Sequence, residues 1–155
     1  MKKVLVLAYY FPPLGLSGVQ RTLKFVKYLP LFGWEPTVIT VGESGYYAKD
    51  DTLLAELDPG IRIIRTHSMD ANSIIKNKGT IAIPHEKIRK LLSRISDFIL
   101  IPDSKIGWKK STLKAAIALL STEKFDVIYA TAPPQTAFLI GADFKEIQYP
   151  SRARL

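Results

Sequence analysis

The feature that most constrains the fold is a short apolar run near the start of the chain, which leads into a loop and then an amphipathic helix. Residues 3–10 are almost continuously apolar and rich in Val and Leu, as is typical of a parallel strand buried on both faces. Residues 11–18 contain two prolines and two glycines, and residues 19–32 repeat apolar side chains at helical spacing. Because a second β-prone segment follows at residues 37–41, this region predicts one right-handed βαβ unit.

The rest of the chain continues the alternation of strands and helices. The pattern predicts strands at residues 61–65 and 126–131 and helices at residues 52–57, 85–101, 106–120 and from residue 135 onward. Residues 66–84 lack clear periodicity and are interpreted as a loop excursion. The alternation predicts an α/β protein with a doubly wound, Rossmann-like parallel sheet. We expect the strand order 3-2-1-4, which leaves the apolar fourth strand as an edge that natural folds usually protect.

Composition restricts the kinds of site that the chain can hold. The 155 residues carry a formal net charge of +8 and no cysteine, which excludes disulfides and thiolate zinc sites. His67 and His85 lie far apart without ligand-like spacing, so we expect no metal site. The positive charge favours anionic partners, and a basic surface without any such partner is an equally good interpretation. No apolar run reaches the ~18 residues that span a bilayer, and we expect a cytoplasmic protein that is soluble or peripheral.

Three separated motifs carry a resemblance to a known enzyme family. The first motif comprises residues 9–13 (YYFPP), Gly15, residues 17–18, Arg21, residues 25–29 (FVKYL) and residues 33–34. The second motif comprises residues 102–103 (Pro-Asp) and 107–108 (Gly-Trp). The third motif comprises residues 126–134 (DVIYATAPP). Together they resemble the N-terminal half of family 4 glycosyltransferases of the two-Rossmann-domain (GT-B) architecture, in particular those of surface-polysaccharide clusters. The resemblance covers most of residues 1–142, whereas residues 143–155 form a tail without the family's pattern.

The resemblance implies transfer of a sugar from a nucleotide-sugar donor to a glycan or lipid-linked acceptor. Such enzymes usually retain the anomeric configuration and require no metal or other cofactor. Their N-terminal domain mainly holds the acceptor, and a C-terminal domain without a counterpart in this sequence holds the donor. We therefore expect a truncated, acceptor-side portion that is inactive alone. A stand-alone nucleotide- or glycan-binding module and a non-functional gene remnant remain alternatives, and nucleic-acid binding is disfavoured because no recognition motif is present.

The loop after the first strand is the first candidate site. It lies between a strand end and a helix start, where ligands bind in open α/β sheets, and Gly15 and Gly18 allow close backbone approach. Amides at the helix start favour an anion, and Arg21 in the first turn can bind a phosphate through two hydrogen bonds. The resemblance implies that Gly15, Ser17, Gly18 and Arg21 face the donor diphosphate. The alternative is a tight turn with a solvated arginine; the loop matches neither the NAD fingerprint nor a P-loop.

A second candidate site lies at the carboxyl end of the fourth predicted strand. Its residues are Asp103, Trp108, Thr131, Pro133 and Pro134. Because carboxyl ends of parallel strands meet at one edge of a sheet, residues 131–134 are expected beside the first loop, and we interpret the group as an acceptor-side crevice. The equally supported alternative is that the two prolines merely start the next helix and Trp108 packs in the core. Neither histidine lies on a matched motif, so no catalytic residue is assigned.

The basic segment 87–114 indicates one further partner. It carries Lys87, Arg89, Lys90 and Arg94 beside an apolar stripe, followed by Lys105, Lys109, Lys110 and Lys114. A basic amphipathic helix can bind an anionic membrane, which would suit a lipid-linked acceptor and a location at the inner face of the membrane. We favour the alternative, in which the stripe packs on the sheet and the charges are solvated.

Overall fold

Four parallel strands form one sheet in the part of the chain that the computed structural model describes, namely residues 1–42, 48–69 and 101–148. The strands are β1 (Lys2–Leu7), β2 (Trp34–Val41), β3 (Arg62–Thr66) and β4 (Val127–Ala130). Their order is β3-β2-β1-β4, so β1 and β2 are central while β3 and β4 form the edges. The predicted α/β class and strand order are therefore confirmed, and the arrangement is compatible with a Rossmann-like fold.

Helices cover both faces of this sheet. They are α1 (Ser17–Tyr28), α2 (Lys109–Thr122) and α3 (Thr136–Gln148), with short 3-10 turns at Leu29–Phe32, Asp51–Glu56 and Ile106–Trp108. Tyr129 packs against Phe25 of α1, with the ring centroids 4.6 Å apart, whereas the next residue, Ala130, lies against Gly141 of α3. Because consecutive strand residues point to opposite faces, α1 and α3 lie on opposite sides of the sheet.

The hydrophobic core is centred on β1. Leu5, Val6 and Leu7 are fully buried, although they point alternately to the two faces. From β2 and α1 the core receives Val38, Ile39, Val41, Val19, Leu23 and Val26. Burial on both faces explains why the first run of the sequence is continuously apolar instead of alternating.

Several boundaries differ from the predicted ones by a few residues. β1 ends at Leu7 instead of residue 10, and α3 continues to Gln148, past the boundary drawn at residue 142. The predicted helix 19–32 begins at Ser17 and changes to a 3-10 turn at Leu29, because Pro30 has no amide to continue the α-helical hydrogen bonds. The predicted helix 85–101 and most of the predicted loop 66–84 lie outside the described residues.

Candidate functional site

The carboxyl ends of β1 and β4 lie side by side at the carboxyl-end edge of the sheet, where the strands stop, beside the N-termini of α1 and α3. Thr131, directly after β4, donates its backbone amide to the Leu7 carbonyl at the end of β1, at 3.1 Å. The loop that follows β1 and the loop that follows β4 are thus neighbours. This edge brings together the two regions that the sequence singled out, and it is where open α/β sheets bind ligands.

The loop between β1 and α1 is held by the backbone of residues 48–50. Gly15 donates its amide to the Ala48 carbonyl at 2.9 Å, and Asp50 donates its amide to the Pro13 carbonyl at 2.8 Å. A Cβ at Gly15 would lie 3.1 Å from the Ala48 Cβ, closer than ordinary van der Waals contact. Glycine therefore allows this approach without displacing the neighbouring chain.

Arg65 holds the same loop from β3, the edge strand opposite β4. Its Nη2 donates to the Pro12 carbonyl at 2.7 Å. Burial lowers the pKa of the Arg65 guanidinium below its ordinary value, although an arginine remains protonated at neutral pH. Arg65 was not predicted as part of the site. The one sequence feature that could have indicated it is the presence of an arginine within a β-prone apolar segment.

The first turn of α1 is suited to an anion. Leu16, which precedes the helix, makes no side-chain capping hydrogen bond, and the first turn contains no acidic residue. Ser17 and Gly18 are exposed, so water or a ligand can reach the helix start. A Cβ at Gly18 would meet no atom within 4 Å, which leaves the space above this residue clear. The amides and the positive end of the helix dipole together favour a phosphate or carboxylate here.

Leu16 adopts a backbone conformation that leucine rarely takes. Its φ is 74° and its ψ is 166°, a region that is almost restricted to glycine. The side chain is 53% exposed, so burial of the leucine does little to offset the strain. Strained residues of this kind concentrate at ligand-binding turns, and this one lies directly before the helix start that favours an anion.

Arg21 joins the two regions. Its Nη2 donates to Thr131 Oγ1 at 2.9 Å and to the Ala132 carbonyl at 2.5 Å. Within the described residues, both of its hydrogen bonds use this one nitrogen, and the side chain is exposed. A phosphate could therefore accept from the Nε and Nη1 groups while the guanidinium stays anchored to the end of β4.

Asp103 caps α3. Its Oδ2 accepts from the Thr136 amide at 2.8 Å, and its Oδ1 accepts from the Thr136 hydroxyl and the Lys105 amide, each at 2.8 Å. A carboxylate at a helix N-terminus satisfies amides that have no partner within the helix and interacts favourably with the dipole. Asp103 thus fastens the segment before α2 to the loop after β4.

Trp108 lies in the core near the carboxyl ends of β1 and β3. It is fully buried, its Nε1 donates to Thr66 Oγ1 at 2.8 Å, and its ring meets the Tyr9 ring edge-on at 5.3 Å. Of the two interpretations that the sequence left open for Trp108, the geometry supports core packing. Lys105 is also buried here, with its Nζ 5.2 Å from the centre of the Tyr9 ring.

The loop between β4 and α3 contributes one buried and one exposed proline. Pro133 is exposed, whereas Pro134 and Thr131 are buried. The Pro134 carbonyl accepts from the Ala137 amide at 3.1 Å, so the two prolines lead into α3 and also lie at the carboxyl-end edge. We define the carboxyl-end site as the exposed residues Ser17, Gly18, Arg21 and Pro133 together with the buried Thr131, to which Arg21 is bonded.

The basic segment 87–114 is described only from residue 101 onward. Lys109 pairs with Asp143 at 2.9 Å, while Lys110 and Lys114 are exposed. Within the described residues, no helix combines the length and apolarity needed to cross a membrane. Among the same residues, no cluster of three His, Cys, Asp or Glu side chains is placed to hold a metal ion.

No known protein family, curated protein or solved structure matches this chain. Its function is therefore inferred from the motifs of the sequence and from the geometry of the carboxyl-end site.

Proposed function

We propose that this chain is the acceptor-side portion of a GT-B nucleotide-sugar glycosyltransferase, and that its carboxyl-end site contacts the diphosphate of the donor. The observation that carries the proposal is the placement of Arg21, which bonds to Thr131 and Ala132 beside the exposed start of α1. One guanidinium and a set of helix-start amides thereby converge at the ligand-binding edge of the sheet. Both groups are suited to phosphate oxygens.

The chemistry of sugar transfer gives these groups a role. Transfer breaks the bond between the anomeric carbon and a diphosphate oxygen, and negative charge develops on the departing diphosphate. Fixed positive charge and aligned amides at that oxygen would stabilise the transition state more than the ground state. We assign no residue to remove the acceptor proton, and we expect the chain to be inactive alone, because the resemblance implies that a second domain supplies most of the donor contacts.

We propose that the acceptor binds beside the same groups. The exposed Pro133 follows Thr131 at the end of β4, next to Arg21. A hydroxyl that attacks the anomeric carbon must approach the donor from this neighbourhood. A glycan or the sugar head of a lipid-linked acceptor fits the proposal, with the nucleotide-sugar as co-substrate and without a metal.

Calorimetric titration of the whole chain with uridine diphosphate, guanosine diphosphate and pyrophosphate tests the diphosphate contact. We expect weak binding, with a Kd on the order of 1 mM, because only a minor part of the donor site contributes. Arg21→Ala should weaken binding at least about tenfold, since a charged hydrogen bond contributes roughly 1.5–3 kcal/mol and 1.4 kcal/mol is a factor of ten. The matched control is Lys24→Ala on the same helix, which removes a lysine that pairs with Glu56. Equal affinities for wild type and Arg21→Ala would overturn the assignment.

Whether the chain is a portion of an enzyme is tested by the intact mass of its product in source cells. A product of about twice 17.4 kDa or more would support the glycosyltransferase proposal. A natural product of 17.4 kDa would overturn it for this chain. Diphosphate binding that depends on Arg21 would then favour the alternative of a stand-alone binding module.

A further inference from the structure

Thr131 is almost closed to solvent, although the sequence pattern placed it in an acceptor-side crevice. Only 7% of the residue is exposed. Its amide donates to the Leu7 carbonyl at 3.1 Å, and its Oγ1 accepts from Arg21 Nη2 at 2.9 Å. A bound acceptor would therefore find little of this side chain to contact, and the hydroxyl is directed at Arg21 instead.

Arg21 is the kind of side chain that gains from being held. It is exposed on the surface of α1, and a long exposed side chain loses rotamer freedom when a ligand fixes it, which weakens binding. The bonds from Nη2 to Thr131 Oγ1 and to the Ala132 carbonyl restrict the guanidinium before any ligand arrives. Within the described residues, the Nε and Nη1 donors are left for a ligand.

The groups that hold Arg21 carry no charge. A carboxylate would hold an arginine more strongly, but it would also cancel much of the positive charge that attracts a phosphate. Lys109 of α2 shows that arrangement, since it pairs with Asp143 at 2.9 Å. At Arg21 a hydroxyl oxygen and a carbonyl oxygen take the place of the carboxylate. The guanidinium is thus restrained while its charge stays available.

We infer that Thr131 is a positioning residue, whose hydroxyl holds Arg21 in place for the diphosphate without touching the ligand. The bond from the Thr131 amide to Leu7 ties this anchor to the end of β1, so the sheet itself sets the position of the guanidinium. The inference rests on the proposed function, because Thr131 has this role only if Arg21 binds the diphosphate. It assigns Thr131 to the donor side of the carboxyl-end site.

Titration of the whole chain with pyrophosphate, followed by nuclear magnetic resonance, tests this inference. Thr131→Val removes the hydroxyl but keeps the branched shape and the amide bond to Leu7. The Kd should rise about fivefold, because one neutral hydrogen bond to Arg21 is lost and the bond to the Ala132 carbonyl remains. Thr131→Ser restores the hydroxyl, and its Kd should lie within about twofold of the wild-type value.

Thr40→Val is the matched control for a general loss of stability. Thr40 is also a buried threonine near the carboxyl ends, and its hydroxyl donates to the Tyr9 carbonyl at 3.0 Å. Thr40→Val should lower stability about as much as Thr131→Val, since each variant loses one buried hydroxyl bond, but it should leave the Kd within about twofold of wild type. Chemical denaturation measures both stabilities. An equal loss of affinity in the two variants would overturn the inference.

The Nε–H resonance of Arg21 provides a readout that stability alone does not move. Arg21→Ala identifies the signal, and relaxation measurements should show a more mobile guanidinium in Thr131→Val than in wild type or Thr131→Ser. Thr131→Ala also lacks the hydroxyl and replaces Thr131→Val if that variant does not fold. Unchanged affinity and mobility without the hydroxyl would overturn the inference, while a weakened Arg21→Ala would leave the proposed function standing. No effect of Arg21→Ala on binding would overturn both.

Discussion

The two ends of the sheet use charged side chains in opposite ways. At the amino ends, Glu123 accepts hydrogen bonds from Lys3 Nζ at 3.1 Å and from Arg62, and the Lys3 amide donates to Asp126 at 2.7 Å. Lys3 and Arg62 there are both close to the opposite charge of Glu123. At the carboxyl ends, the helix start of α1 carries no acidic residue and Arg21 bonds to neutral oxygens. Within the described residues, the two cations at the amino ends therefore share a carboxylate, whereas Arg21 at the carboxyl ends has none.

This difference teaches that polar residues at the carboxyl-end edge differ in what their hydrogen bonds do. Asp103 and Arg65 lie near that edge, yet their hydrogen bonds hold neighbouring loops in place. Ser17, Gly18 and Arg21 remain accessible there. The carboxyl end thus has residues that hold its loops in place and residues that remain exposed. Substitutions of the first set should change stability, and substitutions of the second set should change ligand binding.

The largest effect on stability is expected from Asp103→Ala. The substitution leaves the Thr136 amide and hydroxyl and the Lys105 amide without their acceptor. Because the helix loses its cap and these donors lose their hydrogen bonds, the free energy of unfolding should fall by about 2–3 kcal/mol. Chemical denaturation of the whole chain measures this change.

A second capping aspartate serves as the control for Asp103→Ala. Asp50 accepts from the amide and hydroxyl of Thr52 at an exposed 3-10 turn, so Asp50→Ala should cost only about 0.5–1 kcal/mol. Equal losses in the two variants would mean that Asp103 has no special supporting role at the carboxyl end.

Gly18→Glu should change stability and anion binding in opposite directions. A carboxylate in the first turn of α1 complements the helix dipole, and replacing a helical glycine reduces unfolded-state entropy, so stability should rise by about 0.5–1 kcal/mol. The same charge should repel a diphosphate and weaken its binding about tenfold or more. Thermal unfolding and calorimetric titration measure the two effects.

Gly18→Ala separates charge from shape at the same position. A Cβ there meets nothing within 4 Å, so this variant should gain stability and keep most of its affinity. If Gly18→Glu binds diphosphate as well as Gly18→Ala does, the helix start is not the anion site.

Glu123 should make stability depend on pH at the amino end. Partial burial raises its pKa, but hydrogen bonds from Arg62 and Lys3 outweigh burial and hold the pKa below its ordinary value of 4.5. A carboxyl with a lowered pKa stabilises the fold above its unfolded pKa and loses that contribution as the pH falls through the folded pKa. Glu123→Gln should cost about 0.5–1 kcal/mol at pH 7 and flatten the acid limb below about pH 4.5.

Salt provides the check on the Glu123 prediction. The difference between wild type and Glu123→Gln should shrink in concentrated sodium chloride, because screening weakens exposed ion pairs. Identical acid unfolding curves for the two proteins would show that the amino-end charges contribute nothing measurable.

The smallest effect is expected from Leu16→Gly. Glycine adopts the φ of 74° found at this position without steric cost, so relief of strain should exceed the entropic cost and raise stability by about 0.5 kcal/mol. Gly33→Ala is the opposite control, because Gly33 ends the 3-10 turn with a φ of 76° and alanine there should cost about 1 kcal/mol. Denaturant unfolding of both variants should give changes of opposite sign.

Periodicity and strand chemistry were enough to predict the sheet. The continuous apolar run at residues 3–10 marks β1 as central, and the strand order followed from the α/β alternation. The end of β1 was misplaced because Ala8, Tyr9 and Tyr10 remain apolar after the strand has ended. The start of α1 was missed because Leu16 is not a capping residue.

The sequence predicted which regions meet at the site, because the carboxyl ends of parallel strands lie together, but it predicted individual contacts only where the residues are local. Gly15, Ser17, Gly18 and Arg21 lie in one loop and helix start, and their proximity follows directly from the chain. The link from Arg21 to Thr131 spans 110 residues, and Asp103 reaches Thr136 from 33 residues away. The α/β alternation predicts that such regions are neighbours, but the pairing of individual side chains depends on tertiary packing, which no local pattern encodes.

The loop after β1 has a thermodynamic consequence beyond its shape. Hydrogen bonds from Arg65 to Pro12, from Gly15 to Ala48 and from Asp50 to Pro13 fix its course. A loop that is already fixed loses little conformational entropy when a ligand arrives. Binding at this surface should therefore resemble docking to a rigid template, with hydrogen exchange at the Gly15 and Asp50 amides nearly unchanged by ligand.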